Sequence, residues 1–109
     1  MQHKELRFYV AANGKQPFAE WLKKIKDPTT KARILRRLDY LTIGNYGDFK
    51  SVGDGVFELR LTFGAGYRIY FAENGKHTVI LLMAGDKSSQ SKDITLAKKY
   101  WLELKRRMK

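Results

Sequence analysis

The segment from Val56 to Ala84 constrains the fold more than any other part of the chain. Val56 to Phe63 alternates without a break, with Phe57, Leu59, Leu61 and Phe63 on one side and Glu58, Arg60 and Thr62 on the other. Tyr67 to Ala72 alternates again, setting Tyr67, Ile69 and Phe71 against Arg68 and Tyr70. Gly64-Ala65-Gly66 separates these runs, and Asn74-Gly75, a strong two-residue hairpin signal, follows them. Thr78 to Ala84 is apolar on both faces, the pattern of a central or doubly covered strand. Strands joined by tight turns form an antiparallel meander, and its apolar face needs a second layer.

Helices supply that layer. Leu6 to Ala11 reads as a first strand, ended by Asn13-Gly14. Pro17 suits a first helical turn, and Phe18, Trp21, Leu22 and Ile25 make one apolar helical face. Asp27-Pro28 stops that helix and opens the next, with Asp27 or Thr29 as cap. Ile34, Leu35, Leu38 and Leu41 form the second stripe, with Lys31, Arg33, Arg36 and Arg37 largely off it. Asn45 to Asp48 is a loop. From about Ser91 to Met108 a last helix carries Ile94, Ala97, Trp101, Leu104 and Met108 on one side. Its other side is basic, and Ser89 or Ser91 is its expected cap. The expectation is one α+β domain over residues 1–109: a small antiparallel sheet, two N-terminal helices and one C-terminal helix, with one sheet face partly open.

Charge narrows the function. The chain carries 22 Lys and Arg against 11 Asp and Glu, a net +11 on 109 residues. Self-repulsion of that size destabilises a small domain, so an anionic partner is expected. The membrane is a poor candidate, because the longest apolar run, Val79 to Ala84, falls far short of the roughly 20 residues a spanning helix needs. Met1-Gln2-His3-Lys4-Glu5 opens no signal peptide, so a cytoplasmic location is the default. There is no cysteine, and His3 and His77 are the only histidines. A zinc site and a paired-histidine ribonuclease site are therefore both disfavoured, and no cofactor is called for.

The chemistry concentrates on the polar face of the meander. If Gly64-Ala65-Gly66 is a three-residue loop, Thr62 faces Arg68 and Arg60 faces Tyr70. Two guanidinium groups side by side need an anion or a carboxylate between them, and Glu58 is the nearest candidate. One reading is a solvated strand face with a Glu–Arg pair; the other is a phosphate site, since the guanidinium fork donates two parallel hydrogen bonds. Lys87, in Ala84-Gly85-Asp86-Lys87-Ser88-Ser89-Gln90, projects from a strand exit over the same face or is a turn lysine. Lys50 adds a fourth positive charge or is a loop lysine. Tyr70 is the one aromatic placed to stack on a nucleic-acid base, and Arg36 and Arg37 are either further nucleic-acid contacts or a solvated helix face. With Asn74-Gly75 setting the register, Val79, Leu81 and Met83 share parity with Arg68. Apolar and basic surface then lie together, as a binding partner would require.

The strings GDFKSVGDGVFELRLTFGAGYRIYF and ILLMAGDKSSQSKDITLAKKYW resemble the RelE/ParE toxin superfamily of bacterial type II toxin–antitoxin systems. The resemblance is nearest to the HigB-like "addiction module killer protein" branch. PFAEWLKKIKDPTTKARILRRLDYLTIGNYGD matches the same branch, so the resemblance spans nearly the whole chain. It implies a RelE-like fold, ribosome-dependent cleavage of messenger RNA, and an antitoxin partner, a helix-turn-helix DNA-binding protein. It also implies a phosphate pocket of Arg60, Arg68 and Lys87; Glu58, on this chain's own residues, is then the base or the residue holding Arg60. Many relatives carry a base where this chain has Glu58, and the Tyr or His that serves as their acid has no match between Lys87 and Leu96. ParE-like relatives poison DNA gyrase without nuclease chemistry, and a non-catalytic RNA-binding module is the third reading.

Overall fold

The computed structural model describes residues 3–109. Met1 and Gln2, the start of the segment read as lacking a signal peptide, lie outside the described residues. The elements run β1 (Glu5–Phe8), α1 (Pro17–Lys23), α2 (Pro28–Thr42), β2 (Phe49–Gly53), β3 (Val56–Arg60), β4 (Arg68–Asn74), β5 (Thr78–Gly85), a 3₁₀ turn (Lys87–Ser89) and α3 (Gln90–Arg107). Pro28 sits in the first turn of α2 and Asp27 caps it, its carboxylate accepting from the Thr30 N–H at 3.1 Å. No helix among the described residues is long and apolar enough to cross a membrane.

The fold is α+β, and the sheet order is β1-β5-β4-β3-β2. Strands β2 to β5 are antiparallel as the turns require, but β1 pairs with β5 in parallel, so the sheet is mixed. The half-open face expected from the sequence is in fact covered. Helices α1 and α2 bring Phe18, Ile34, Leu38 and Leu41 onto Leu59, Leu61, Ile69, Phe71 and Leu81. On the opposite face, Ala97 and Trp101 of α3 pack with Val56, Tyr70, Ala72, Ile80 and Leu82. Three layers result, with β5 buried from both sides as its unbroken apolar run demands.

Four local expectations are corrected. Leu35 is exposed, because the buried stripe of α2 steps from Ile34 to Leu38 and Leu41. Strand β2 has no sequence signature; it is an edge strand whose residues are exposed except for half-buried Val52. Ser89 stands at the α3 N-cap but makes no side-chain cap hydrogen bond, its hydroxyl going to Asp93 instead. The turn after β4 is Gly75–His77, with Asn74 paired to Thr78. That one extra residue puts Val79 and Leu81 under α1 and α2, away from Arg68. Met83 alone joins the Arg68 face, because a β-bulge between Tyr70 and Phe71 reverses the parity, and all three residues are buried.

Candidate active site

The β3–β4 hairpin decides which side chains meet. The Leu61 N–H donates to the Tyr67 carbonyl at 3.0 Å, leaving residues 62–66 as the loop. Gly64 and Gly66 adopt positive φ (59° and 74°), and the Gly66 N–H closes the loop on the Phe63 carbonyl at 3.2 Å. The longer loop moves the register two residues from the three-residue expectation. Faces are kept and neighbours change: Arg60 stands opposite Arg68, and Glu58 opposite Tyr70.

Two rungs of the sheet carry the site. One runs Lys50, Glu58, Tyr70, Met83 across β2, β3, β4 and β5; the next runs Arg60, Arg68, Gly85. Glu58 lies at the centre, fully buried. Its Oε2 accepts from Gln90 Nε2 at 2.7 Å and from the Tyr70 hydroxyl at 3.2 Å. Its Oε1 faces Lys50 Nζ at 3.9 Å and Arg68 Nε at 4.0 Å, and has no hydrogen bond. Arg68 is anchored by Nη1, which donates to the Gly66 carbonyl at 3.0 Å. Arg60 pairs with Asp48 at 3.2 Å, so the residue Glu58 holds is Arg68, not Arg60. The two guanidinium groups thus coexist because each has its own carboxylate.

Lys87 completes the cluster. A side chain added at Gly66 would put its Cβ 3.3 Å from Lys87 Cβ and 3.7 Å from Arg68 Nη1, so all three residues crowd one corner. The 3₁₀ turn bearing Lys87 is capped by Asp86, whose carboxylate accepts from the Ser88 N–H at 2.9 Å. The Ser88 hydroxyl and then that N–H hold the Asp86 pKa below its ordinary value. A depressed carboxylate pKa contributes stability at neutral pH that fades as pH falls through the folded value, so this turn loosens in acid.

Other assigned residues are placed differently. Tyr70 is fully buried and offers no ring face to a base, which withdraws it as a stacking platform. Burial first, and then the Glu58 charge, raise its phenol pKa. Arg37 lies on the α2 side of the sheet, where it donates to the carbonyls of Arg60 at 2.9 Å and Tyr46 at 3.1 Å. It ties α2 to the end of β3, and partial burial lowers its pKa. Arg36 is exposed on the same side.

Sequence reasoning missed Gln90, Asp48 and Asp93. Gln90, Asp93 and Ala97 fall at helical spacing on the buried face of α3, so a polar extension of that face was the available signal. Asp93 is buried, accepts from Ser89 Oγ, and lies so close to Gly85 that any Cβ there would overlap its carboxylate. Gly85→Ala should therefore push Asp93 off Ser89 and lower stability by about 1–3 kcal/mol, the usual cost of overpacking, measurable by denaturant melting.

Residues 20–102 match the family described as "Phage derived protein Gp49-like (DUF891)". That span includes Lys50, Glu58, Arg60, Arg68, Lys87 and Gln90. An uncharacterized protein of Haemophilus influenzae is 52% identical over 81 residues, covering 74% of this chain and 82% of that protein. With three quarters of its length inside the match, the chain belongs to the phage-derived Gp49-like family, which is associated with toxin–antitoxin systems.

Proposed function

We propose that this protein is the toxin of a type II toxin–antitoxin pair and cuts ribosome-bound messenger RNA without a metal. The observation that carries the reading is that Arg60 and Arg68 stand opposite each other on β3 and β4, with Lys87 against Arg68 at the hairpin. The Nε atoms of Arg60 and Arg68 are buried with no hydrogen-bond partner among the described residues. Arg60 keeps 38% of its side chain exposed, so its fork can meet an incoming phosphate oxygen.

In the proposed reaction the ribose 2′-oxygen forms a bond to the adjacent phosphorus and the bond to the 5′-oxygen breaks. The products are a cyclic phosphate and a 5′-hydroxyl. Arg60 and Arg68 stabilise the negative charge that builds on the phosphorane oxygens. Lys87 gives a proton to the departing 5′-oxygen and regains one from water, while the 2′-hydroxyl proton passes to solvent. Glu58 is a positioning residue: buried beneath Arg68 and Lys50, it fixes both cations. Without a strong base the intrinsic rate is low, and the ribosome supplies substrate orientation worth several kcal/mol, within the roughly 7–11 kcal/mol that positioning can provide. The antitoxin, a helix-turn-helix protein by resemblance, is the expected partner.

Inducing the protein alone and mapping message 5′ ends tests this. New 5′-hydroxyl ends inside translated messages, with arrested translation, are expected. Intact messages with broken chromosomes would replace this reading by gyrase poisoning, and RNA binding without new ends would reduce it to a binding module.

A further inference from the structure

On the far side of the β3–β4 hairpin from the Arg68 corner lies an open groove of about 700 Å³. Its walls are Pro28, Ala32, Arg33, Arg36 and Arg37 of α2, and Phe63 of the hairpin loop. Among the described residues, no acidic one lines it. The Arg33 guanidinium carbon stands 4.4 Å from the centroid of the Phe63 ring, a cation–π pair. Arg33 and Arg36 are exposed, and Phe63 is half-buried against the helical core.

The groove and the candidate active site share one loop. Phe63 lies in it, Gly66 closes it by donating to the Phe63 carbonyl at 3.2 Å, and Gly66 abuts Lys87 and Arg68. Arg37 in turn holds the Arg60 carbonyl, so Arg60 connects the two sides. The hairpin loop thus joins the two faces, with Gly66 at the Lys87 and Arg68 corner and Phe63 in the wall of the groove.

We propose that this groove is a nucleotide subsite, which takes one unstacked base of single-stranded RNA flanking the cut and a neighbouring phosphate. The proposal rests on the RNA-cleavage reading above. The volume lies within the range of small-ligand sites, which run roughly 300–1,000 Å³. The Arg33–Phe63 pair gives the base a planar partner, and Arg36 gives the phosphate a forked donor. A docked acidic helix would need several apolar anchors one helical turn apart, and this groove offers only Pro28, Ala32 and Phe63. RNA fits the walls better than protein does.

The test uses fluorescence anisotropy with fluorescein-labelled 2′-O-methyl octauridylate and octaadenylate, which have no free 2′-hydroxyl and cannot be cut. Phe63→Ala should weaken binding roughly 5- to 100-fold, as for loss of one stacked base, and Phe63→Trp should restore it. Since Phe63 touches the core, Arg33→Ala on the exposed partner is the second variant. It should weaken binding and flatten the salt dependence by about one counterion. Binding within twofold of wild type for both variants would overturn the subsite while leaving cleavage at Arg68 untouched. Failure of the wild-type protein to bind either oligonucleotide would overturn it as well. Loss of antitoxin affinity by Arg33→Ala with unchanged RNA binding would hand the groove to an acidic protein partner.

Discussion

On the proposed reaction, Arg68→Ala is expected to slow cleavage of ribosome-bound message by about 100- to 1000-fold, the usual cost of losing one transition-state donor. Alternation alone places Arg68 on a polar strand face, where substitution normally changes stability by within about 0.5 kcal/mol. The folded environment raises that figure. Arg68 donates to the Gly66 and Tyr67 carbonyls and is one of two cations facing the buried Glu58. Its removal should cost about 1–3 kcal/mol, so rates must be compared at a temperature where melting curves show both proteins folded. Arg68→Lys separates the two effects. A lysine keeps a cation near Glu58 and much of the stability, but a point charge cannot replace the planar fork, so the rate stays low. A folded Arg68→Ala protein cutting at the wild-type rate would move the chemistry to Lys87 and Lys50.

What could be read from the sequence followed from strict periodicity. Leu59, Leu61, Ile69 and Phe71 alternate with polar neighbours because they sit under α1 and α2, and β5 is apolar on both faces because a helix covers each. Arg60, Arg68, Glu58 and Lys87 were legible as one group because a two-residue register error preserves faces. The neighbours within the group were not legible. Loop length set them, and a five-residue loop closed by two glycines looks like a shorter one in sequence. Edge strand β2 lacks alternation because no layer packs on most of it, so Lys50 read as a loop residue although it sits directly across from Glu58. Tyr70 misled for a related reason. The face that carries Tyr70 is covered by α3, which packs Ala97 and Trp101 beside it and sets Gln90 against Glu58; the apolar stripe of α3 is legible, but not which sheet face it covers.

Glu58 carries the largest expected stability effect. Glu58→Ala removes the shared acceptor of Tyr70 and Gln90 and leaves Arg68 and Lys50 facing a cavity. Breaking a buried charge network by deleting one partner costs about 3–5 kcal/mol. For a domain of this size that lowers Tm by about 10 °C or more, read by calorimetry. Glu58→Gln should cost far less, about 1–2 kcal/mol, because the amide fills the same space and its oxygen still accepts from Gln90 or Tyr70. This milder variant decides the role of Glu58 in the reaction. The carboxylate is fully buried, with its free oxygen directed at two cations. On the proposed reading, a residue so placed orients Arg68 and does not meet the 2′-hydroxyl. The Gln variant should therefore lose no more than about tenfold in rate, with the acid limb of the pH–rate profile unchanged. Loss of a general base instead costs about 100- to 10,000-fold and removes the limb on which that base titrates. A drop of that size in a folded Glu58→Gln protein, with the acid limb gone, would make Glu58 the base and require the corner to open when RNA binds.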